Sequence, residues 1–136
     1  ATVKPMKQIQ RVLKHKGVYA VFWTRQVDSG PTIGADLYKK YKWQGIPAQL
    51  RDPVYVKNIF IKTGFSNVKT FIIPHTETSS IAETIGLLKT NSTYALLPPA
   101  DKKIFIKEMI KAYKKVLGNK KNITKEEIHI CYGIKA

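Results

Sequence analysis

The segment "RVLKHKGVYAVFWTR", residues 11–25, decides the fold class that the sequence predicts. It contains the end of a helix, a break at Gly17 and the apolar stretch "VYAVFW" at 18–23. Gly17 suits the left-handed conformation that often ends a helix. A strand that is apolar throughout is typical of one covered on both faces, which favours a parallel α/β sheet over a one-sided antiparallel sheet.

A predicted helix precedes the strand of this segment, and a further helix and strand follow it. The apolar spacing at 3–14 predicts an amphipathic helix. Further along, Asp52 suits a helix N-cap, Pro53 suits the first helical position, and Gly64 ends the helix before a strand at 68–74. This repeated order predicts a layered α/β fold.

The second half of the chain is mainly helical by its spacing. Ser80 and Glu83 match a capping box and predict the start of one helix. Asp101 is expected to cap a longer helix, and a strand with alternating apolar residues follows at 127–134. The predicted buried side of the longer helix comprises Ile106, Met109, Ile110, Tyr113 and Leu117.

Residues 24–51 are less regular. The turn-forming stretch "DSGPTIGAD" is followed by "LYKKYKWQGIP", in which Tyr38, Tyr41 and Trp43 alternate with lysines. We expect a short helix or a lid-like loop here. The aromatic rings could stack on a substrate or merely cover the end of the sheet.

The net charge of +15 is the unusual feature of the composition. Such a charge suits nucleic acid, an anionic ligand or a membrane surface. However, arginine occurs only at 11, 25 and 51, and a lysine-rich composition can also reflect coding bias. The 136 residues suit one domain, and no apolar run or leader pattern indicates membrane insertion or export, so a cytoplasmic protein is expected.

The residues alone reveal no active site. No glycine-rich phosphate loop and no Gly-x-Ser-x-Gly elbow occur, and His15, His75 and His129 stand apart, so no metal site is predicted. The single cysteine, Cys131, lies in an alternating apolar segment and is expected to be a buried structural thiol.

The order of the segments nevertheless resembles a known family, the class I S-adenosylmethionine-dependent methyltransferases. "IQRVLKHKGVYAVFW" at 9–23 is similar to the family's Arg-Val-Leu-Lys-Pro-Gly-Gly junction between the fourth helix and the fifth strand, with His15 and Lys16 replacing Pro and the first Gly. "FIKTGFSNVKTFII" at 60–73 resembles the later helix, Gly-Phe and strand unit. "EEIHICYGIKA" at 126–136 corresponds to the last strand, which the family inserts antiparallel between strands five and six.

The resemblance implies the C-terminal half of a doubly wound, Rossmann-like sheet, with strands five, six and antiparallel seven. Residues 1–136 would form a single partial domain with a helical insert at about 77–118, where residues 83–113 are similar to the insert of many small-molecule members. The S-adenosylmethionine site would lie in the absent N-terminal half, because this chain lacks the family's glycine-rich turn and acidic strand end. The chain alone is therefore expected to be inactive, whether as a truncated, proteolytic or split form.

In such an enzyme a nucleophile is held in line with the methyl sulfonium, and substrate contacts come from loops after the strands. Trp23 could equally be a core residue and Arg25 a solvated cation, and no general base can be named. The predicted contacts to a small-molecule substrate are Trp23, Thr24, Arg25, Tyr38, Tyr41, Trp43, Ser92 and Tyr94.

A second hypothesis stays open. The chain could be a non-catalytic basic α/β module that binds RNA or another anionic partner. Under either hypothesis, a sheet cut beside its first strand has an unpaired edge, so we expect a homodimer, a swapped domain or association with the missing half.

Overall fold

The computed structural model describes residues 2–27, 32–43, 45 and 47–136. It has a mixed α/β architecture and divides into two compact units. The first unit comprises Ala1–Val27, Ile46–His75 and Glu126–Ala136, and the second comprises Asp28–Gly45 and Thr76–Lys125. The elements are α1 (Val3–Val12), β1 (Val18–Gln26), α2 (Ala35–Lys40), a 3-10 helix (Ala48–Arg51), α3 (Pro53–Lys62), β2 (Phe65–Ser79), α4 (Ile81–Lys89), α5 (Ser92–Leu96), α6 (Pro99–Leu117) and β3 (Asn122–Lys135).

The strands form one antiparallel sheet in the order β1-β3-β2. The strand that comes last in the sequence therefore lies in the centre. Its register against β1 runs from Val18 opposite Ile134 to Gln26 opposite Glu126. The α/β class is confirmed at this level.

One face of the sheet carries the core of the first unit, and we call it the inner face. Side chains of α1 and α3 pack on it, among them Met6 and Phe60, and both are buried. Phe65 and Cys131 complete the buried cluster from β2 and β3. The predicted amphipathic helix at 3–14 is thus confirmed as α1, and its apolar side meets the sheet.

The opposite face is apolar, and its side chains are exposed on β1 and partly buried on β3. The register sets Val18, Ala20 and Phe22 of β1 opposite Ile134, Tyr132 and Ile130 of β3. Phe71 of β2 stacks on Tyr132 with ring centroids 5.9 Å apart. We call these seven residues the outer face.

The expectation that "VYAVFW" is covered on both faces is wrong. Phe22 is 77% exposed and Val18 is 57% exposed, and the described neighbour of β1 is antiparallel. An apolar run reveals only that both faces of a strand are apolar. Which face is covered depends on where the helices pack, and α1 and α3 both pack on the inner one.

The ends of the helices in the first unit follow local chemistry. The carboxylate of Asp52 accepts a hydrogen bond from the Val54 N–H at 2.9 Å, as an N-cap does. Gly64 has φ 88°, which confirms it as the left-handed stop after α3. At the end of α1 the prediction was wrong, because Lys16 rather than Gly17 takes the left-handed conformation, with φ 60°. Gly17 is needed for another reason, since a Cβ there would lie 2.8 Å from the Lys14 carbonyl oxygen.

The second unit is built from α2, α4, α5 and α6 with parts of β2 and β3. The capping box at α4 is confirmed: Ser80 Oγ accepts from the Glu83 N–H at 3.2 Å, and the Glu83 carboxylate accepts from the Ser80 N–H at 2.7 Å. The predicted cap of α6 was wrong, because the helix begins at Pro99 and Asp101 lies within its first turn. Proline is well suited to the first position of a helix, so α6 begins at Pro99, before Asp101 in the sequence.

Candidate functional site

The first unit holds Trp23, Thr24 and Arg25 at the end of β1. The indole of Trp23 stacks on the imidazole of His129, with centroids 5.3 Å apart. Its Nε1–H donates to the backbone oxygen of Arg51 at 3.2 Å. Trp23 is therefore fixed against the inner face, whereas Thr24 and Arg25 are exposed.

A groove of about 440 Å³ opens beside this strand end, and we call it the arginine groove. Two of the three arginines of the chain, Arg25 and Arg51, lie along it. The Asp52 carboxylate also borders the groove, but it is engaged in capping α3. The remaining lining residues are Gln26, Ala48 and Pro53.

A buried imidazole on the inner side of β3 pairs with a partly exposed carboxylate. The Nε2 atom of His129 is 2.9 Å from a carboxylate oxygen of Glu127, and His129 is only 2% exposed. Its Nδ1 has no hydrogen-bond partner among the described residues. The sequence analysis treated His129 as isolated, although spacing of two in a strand places both side chains on one face. Because the ring is enclosed between Trp23 and the core, the pair anchors the inner face.

In the second unit, the predicted aromatic contacts gather around Phe105 of α6. The ring centroids of Trp43 and Tyr41 lie 5.1 and 5.4 Å from that of Phe105. Those of Tyr94 and Tyr38 lie at 6.2 and 6.3 Å. Phe105 itself is fully buried and was missed by the sequence analysis. The structure thus brings these aromatic side chains together as the centre of a core, while their contact with a substrate stays a prediction.

Two tyrosines of this core are held in the neutral form. Burial raises the pKa of Tyr38 far above its usual range, and the neighbouring Tyr113 adds to the shift. Burial also raises the pKa of Tyr113, although its hydrogen bond with Tyr38 opposes the change. Neither phenol can therefore serve as a phenolate base near neutral pH.

A second groove, of about 420 Å³, lies in the helical unit, and we call it the lysine groove. Tyr94 lines it, and Ser92 is exposed at the start of α5, where the Asn91 carboxamide oxygen accepts from the Thr93 N–H at 2.8 Å. The other lining residues are Lys89, Lys102, Lys103, Ile106, Lys107 and Ile110.

Helical spacing did not predict this groove, because it assigned Ile106 and Ile110 to the buried side of α6. In the structure both isoleucines are only partly buried, and the lysines flank them.

Cys131 is fully buried in the inner core, in keeping with the predicted structural role. Burial raises the pKa of its thiol to about 11, with a weak opposing effect from Lys57. A protonated, enclosed thiol is a poor nucleophile. Among the described residues, no group of three or more His, Cys, Asp and Glu side chains is arranged to bind a metal ion.

No protein-family model matches the chain, and no curated protein matches it significantly. Within the described residues, every helix is too short or too polar to cross a membrane.

Proposed function

We propose that this chain is the C-terminal, substrate-side part of a class I S-adenosylmethionine-dependent methyltransferase. The observation that carries the proposal is the position of β3. It is the last strand in sequence, yet it lies between β1 and β2 and runs antiparallel to β1. This is the place that the resemblance gives to the last strand, between strands five and six.

The outer face supports the same proposal. A doubly wound sheet has helices on both faces, and here the described helices of the first unit pack on the inner face alone. Phe22, at 77% exposed, is a large apolar side chain on the outer face in the middle of β1. The N-terminal half of a methyltransferase would supply the second layer and a further neighbour for β1, which is an edge strand among the described residues.

Under this proposal the methyl acceptor is a small molecule and the cofactor site is formed by residues outside this chain. Within the first unit, Thr24 and Arg25 lie at the carboxyl end of β1, where open α/β sheets place ligand contacts. Within the second unit, Tyr94 lines the lysine groove. Together with the exposed Ser92, these residues are the remaining candidates for acceptor contacts. Trp23 is used in packing on His129, and the predicted rings at 38, 41 and 43 are used in packing around Phe105.

Calorimetry with S-adenosylmethionine tests the proposal on two proteins. The 136-residue chain should give no binding heat, whereas the product of the complete reading frame should bind the cofactor and transfer a labelled methyl group. Tight binding by the 136 residues alone would overturn the half-fold interpretation. A complete product that neither binds the cofactor nor transfers methyl would overturn the enzymatic one.

The alternative, a basic module without catalysis, is favoured by one observation, the four lysines that line the lysine groove. Fluorescence anisotropy with a labelled polyuridylate would test it between about 50 and about 200 mM salt, where phosphate contacts lose affinity steeply. Strong, salt-sensitive retention together with no methyl transfer by the complete product would favour this alternative.

A further inference from the structure

The floor of the lysine groove is apolar and short. Ile106 and Ile110 stand one helical turn apart on α6, and Tyr94 of α5 faces the same space. The two isoleucines are only partly buried, so the groove leaves apolar surface in contact with water. Covering that surface with an apolar ligand would be favourable.

The rim of the groove is uniformly positive. Lys103 and Lys107 of α6 and Lys89 of α4 are exposed around it, and no lining residue is acidic. The Nζ atom of Lys102 lies 5.6 Å from the centre of the Tyr94 ring. This fourth ammonium group therefore lies beside the floor of the groove.

Neither acidic residue of α6, Asp101 or Glu108, lines the groove. Glu108 forms an ion pair with Lys40, with the charged atoms 3.6 Å apart, and neither residue lines the groove. The mutual repulsion of four ammonium groups would be relieved by one bound anion.

The dimensions favour a small ligand over a helix. Docking an amphipathic helix requires anchor sites spaced over two turns of the partner, whereas this floor offers two isoleucines one turn apart and one ring. A volume of about 420 Å³ is ordinary for a small-molecule pocket. Lysine ammonium groups are flexible point charges rather than planar forks, so they suit a simple head group on a flexible chain.

We propose that the lysine groove binds a monomeric single-chain anionic amphiphile, with its carboxylate or phosphate head among the lysines and its aliphatic chain on Ile106, Ile110 and Tyr94. The site stands on the geometry of the second unit and does not depend on methyl transfer. Only if the proposed function also holds does this ligand become the class of methyl acceptor.

Sodium decanoate below its micellar concentration is the probe, and the unaltered 136-residue chain is the protein. Isothermal calorimetry should detect saturable binding, and amide shifts in a ¹H–¹⁵N spectrum should centre on Tyr94, Ile106 and Ile110. Inorganic phosphate has the charge without the chain, and decyltrimethylammonium has the chain without the negative charge. Both should bind more weakly than decanoate.

Two double variants distinguish the contribution of the rim lysines to decanoate binding from that of the overall positive charge of the chain. Lys103→Gln with Lys107→Gln should weaken decanoate binding about fivefold, as expected for two exposed charge contacts. Lys111→Gln with Lys115→Gln removes the same charge at the same spacing on α6 but outside the groove, and should change the affinity less than about twofold.

Several results would overturn the proposal. Shifts confined to the outer face around Phe22 and Tyr132 would assign decanoate to that surface instead. Equal losses in the two double variants would show a non-specific charge effect. Groove shifts produced only by phosphatidylserine vesicles, or only by polyuridylate, would show a membrane or nucleic-acid surface in place of a pocket for a monomeric amphiphile.

Discussion

The two units of this chain differ in how fully they bury their apolar side chains. In the second unit, helices surround Phe105, which is fully buried among four aromatic rings. In the first unit, the inner face of the sheet buries Phe60, while the outer face leaves Phe22 77% exposed. Helices can close around a single residue, whereas a sheet has two faces, and each apolar face is buried only if a separate layer covers it. The described part of the first unit supplies one layer.

Phe105→Ala should produce the largest effect. Removing a fully buried ring that supports four others should lower the free energy of unfolding of the second unit by about 3–5 kcal/mol. Trp43 stacks on Phe105, so its fluorescence reports the unfolding of the second unit in urea. The measurement uses a Trp23→Phe background, which removes the signal of the other tryptophan. Leu96→Ala is the matched control, since Leu96 is 86% exposed and should cost less than about 0.5 kcal/mol.

The same experiment sharpens the comparison of the units. In a Trp43→Phe background, Trp23 reports the first unit through its stack on His129. If Phe105→Ala shifts the transition of Trp43 but not that of Trp23, the units unfold separately. Equal shifts would show one cooperative transition, and an unchanged Trp43 transition would contradict the central role of Phe105.

A smaller effect is expected from alkali in the first unit. Burial raises the pKa of the Cys131 thiol from 9.0 to about 11, so the folded chain keeps this proton where the unfolded chain loses it. The resulting stabilisation is present below about pH 9 and is lost as the pH rises towards about 11. Unfolding followed by Trp23 should therefore show stability falling across this window.

Cys131→Ala provides the control for that titration. The variant lacks the thiol, so its stability should fall less between about pH 9 and about pH 11. Every other ionisable group is the same in the two proteins, so the difference between their profiles, followed by Trp23 fluorescence, isolates the contribution of the thiol. Identical pH profiles would contradict a protonated buried thiol.

Asp52→Ala tests the start of α3, which covers the inner face. Losing the acceptor for the Val54 N–H should cost about 1 kcal/mol of unfolding free energy. Asp52→Asn keeps a side-chain oxygen and should retain most of that stability. Thermal unfolding monitored by circular dichroism would check both, and equal losses for the two variants would indicate a charge effect in place of a cap.

Phe22→Lys should have the smallest effect in this chain. A side chain that is 77% exposed contributes little to folding, so stability should change by less than about 0.5 kcal/mol. Phe60→Lys, at a fully buried position of the same unit, should prevent folding of that unit. A large loss from Phe22→Lys would show that the outer face is already covered, for example by self-association, and light scattering of the two proteins would reveal it.

The same variant connects the comparison with the proposed function. If an N-terminal half covers the outer face, Phe22→Lys in the complete product should cost far more than in this chain. If Phe22→Lys lowered the free energy of unfolding equally little in both proteins, the result would contradict the proposed second layer.

Features of the fold that depend on near neighbours in the sequence were mostly predicted, whereas some that depend on distant contacts were not. The helices at α1, α3 and α4 were predicted because their caps and apolar stripes act within a few residues, as Ser80 and Glu83 do. The coverage of β1 was not, because its apolar pattern is the same whether a helix or water lies on the outer side. Phe105 was missed for a similar reason, since it lies on the apolar side of a helix without any local mark of its central position.

The candidate sites were predicted less completely than the fold. Tyr94 was among the predicted substrate contacts, and it does line a groove. The lysines beside it looked like an ordinary solvated helix side, because helical spacing shows which residues share a side but not which neighbouring helix they face. Glu127 and His129 lie two residues apart within the predicted strand at 127–134, so their place on one face could have been inferred from the sequence.

By itself, the sequence determined the local elements: the caps at Asp52 and Ser80, the left-handed stop at Gly64 and the apolar periods of the helices. These follow from interactions between near neighbours, which the order of residues specifies directly. The tertiary structure alone decided that, among the described residues, the helices of the first unit cover only the inner face, and that four lysines line one groove with an apolar floor. Those features depend on contacts between distant segments, and many different arrangements share the same local patterns.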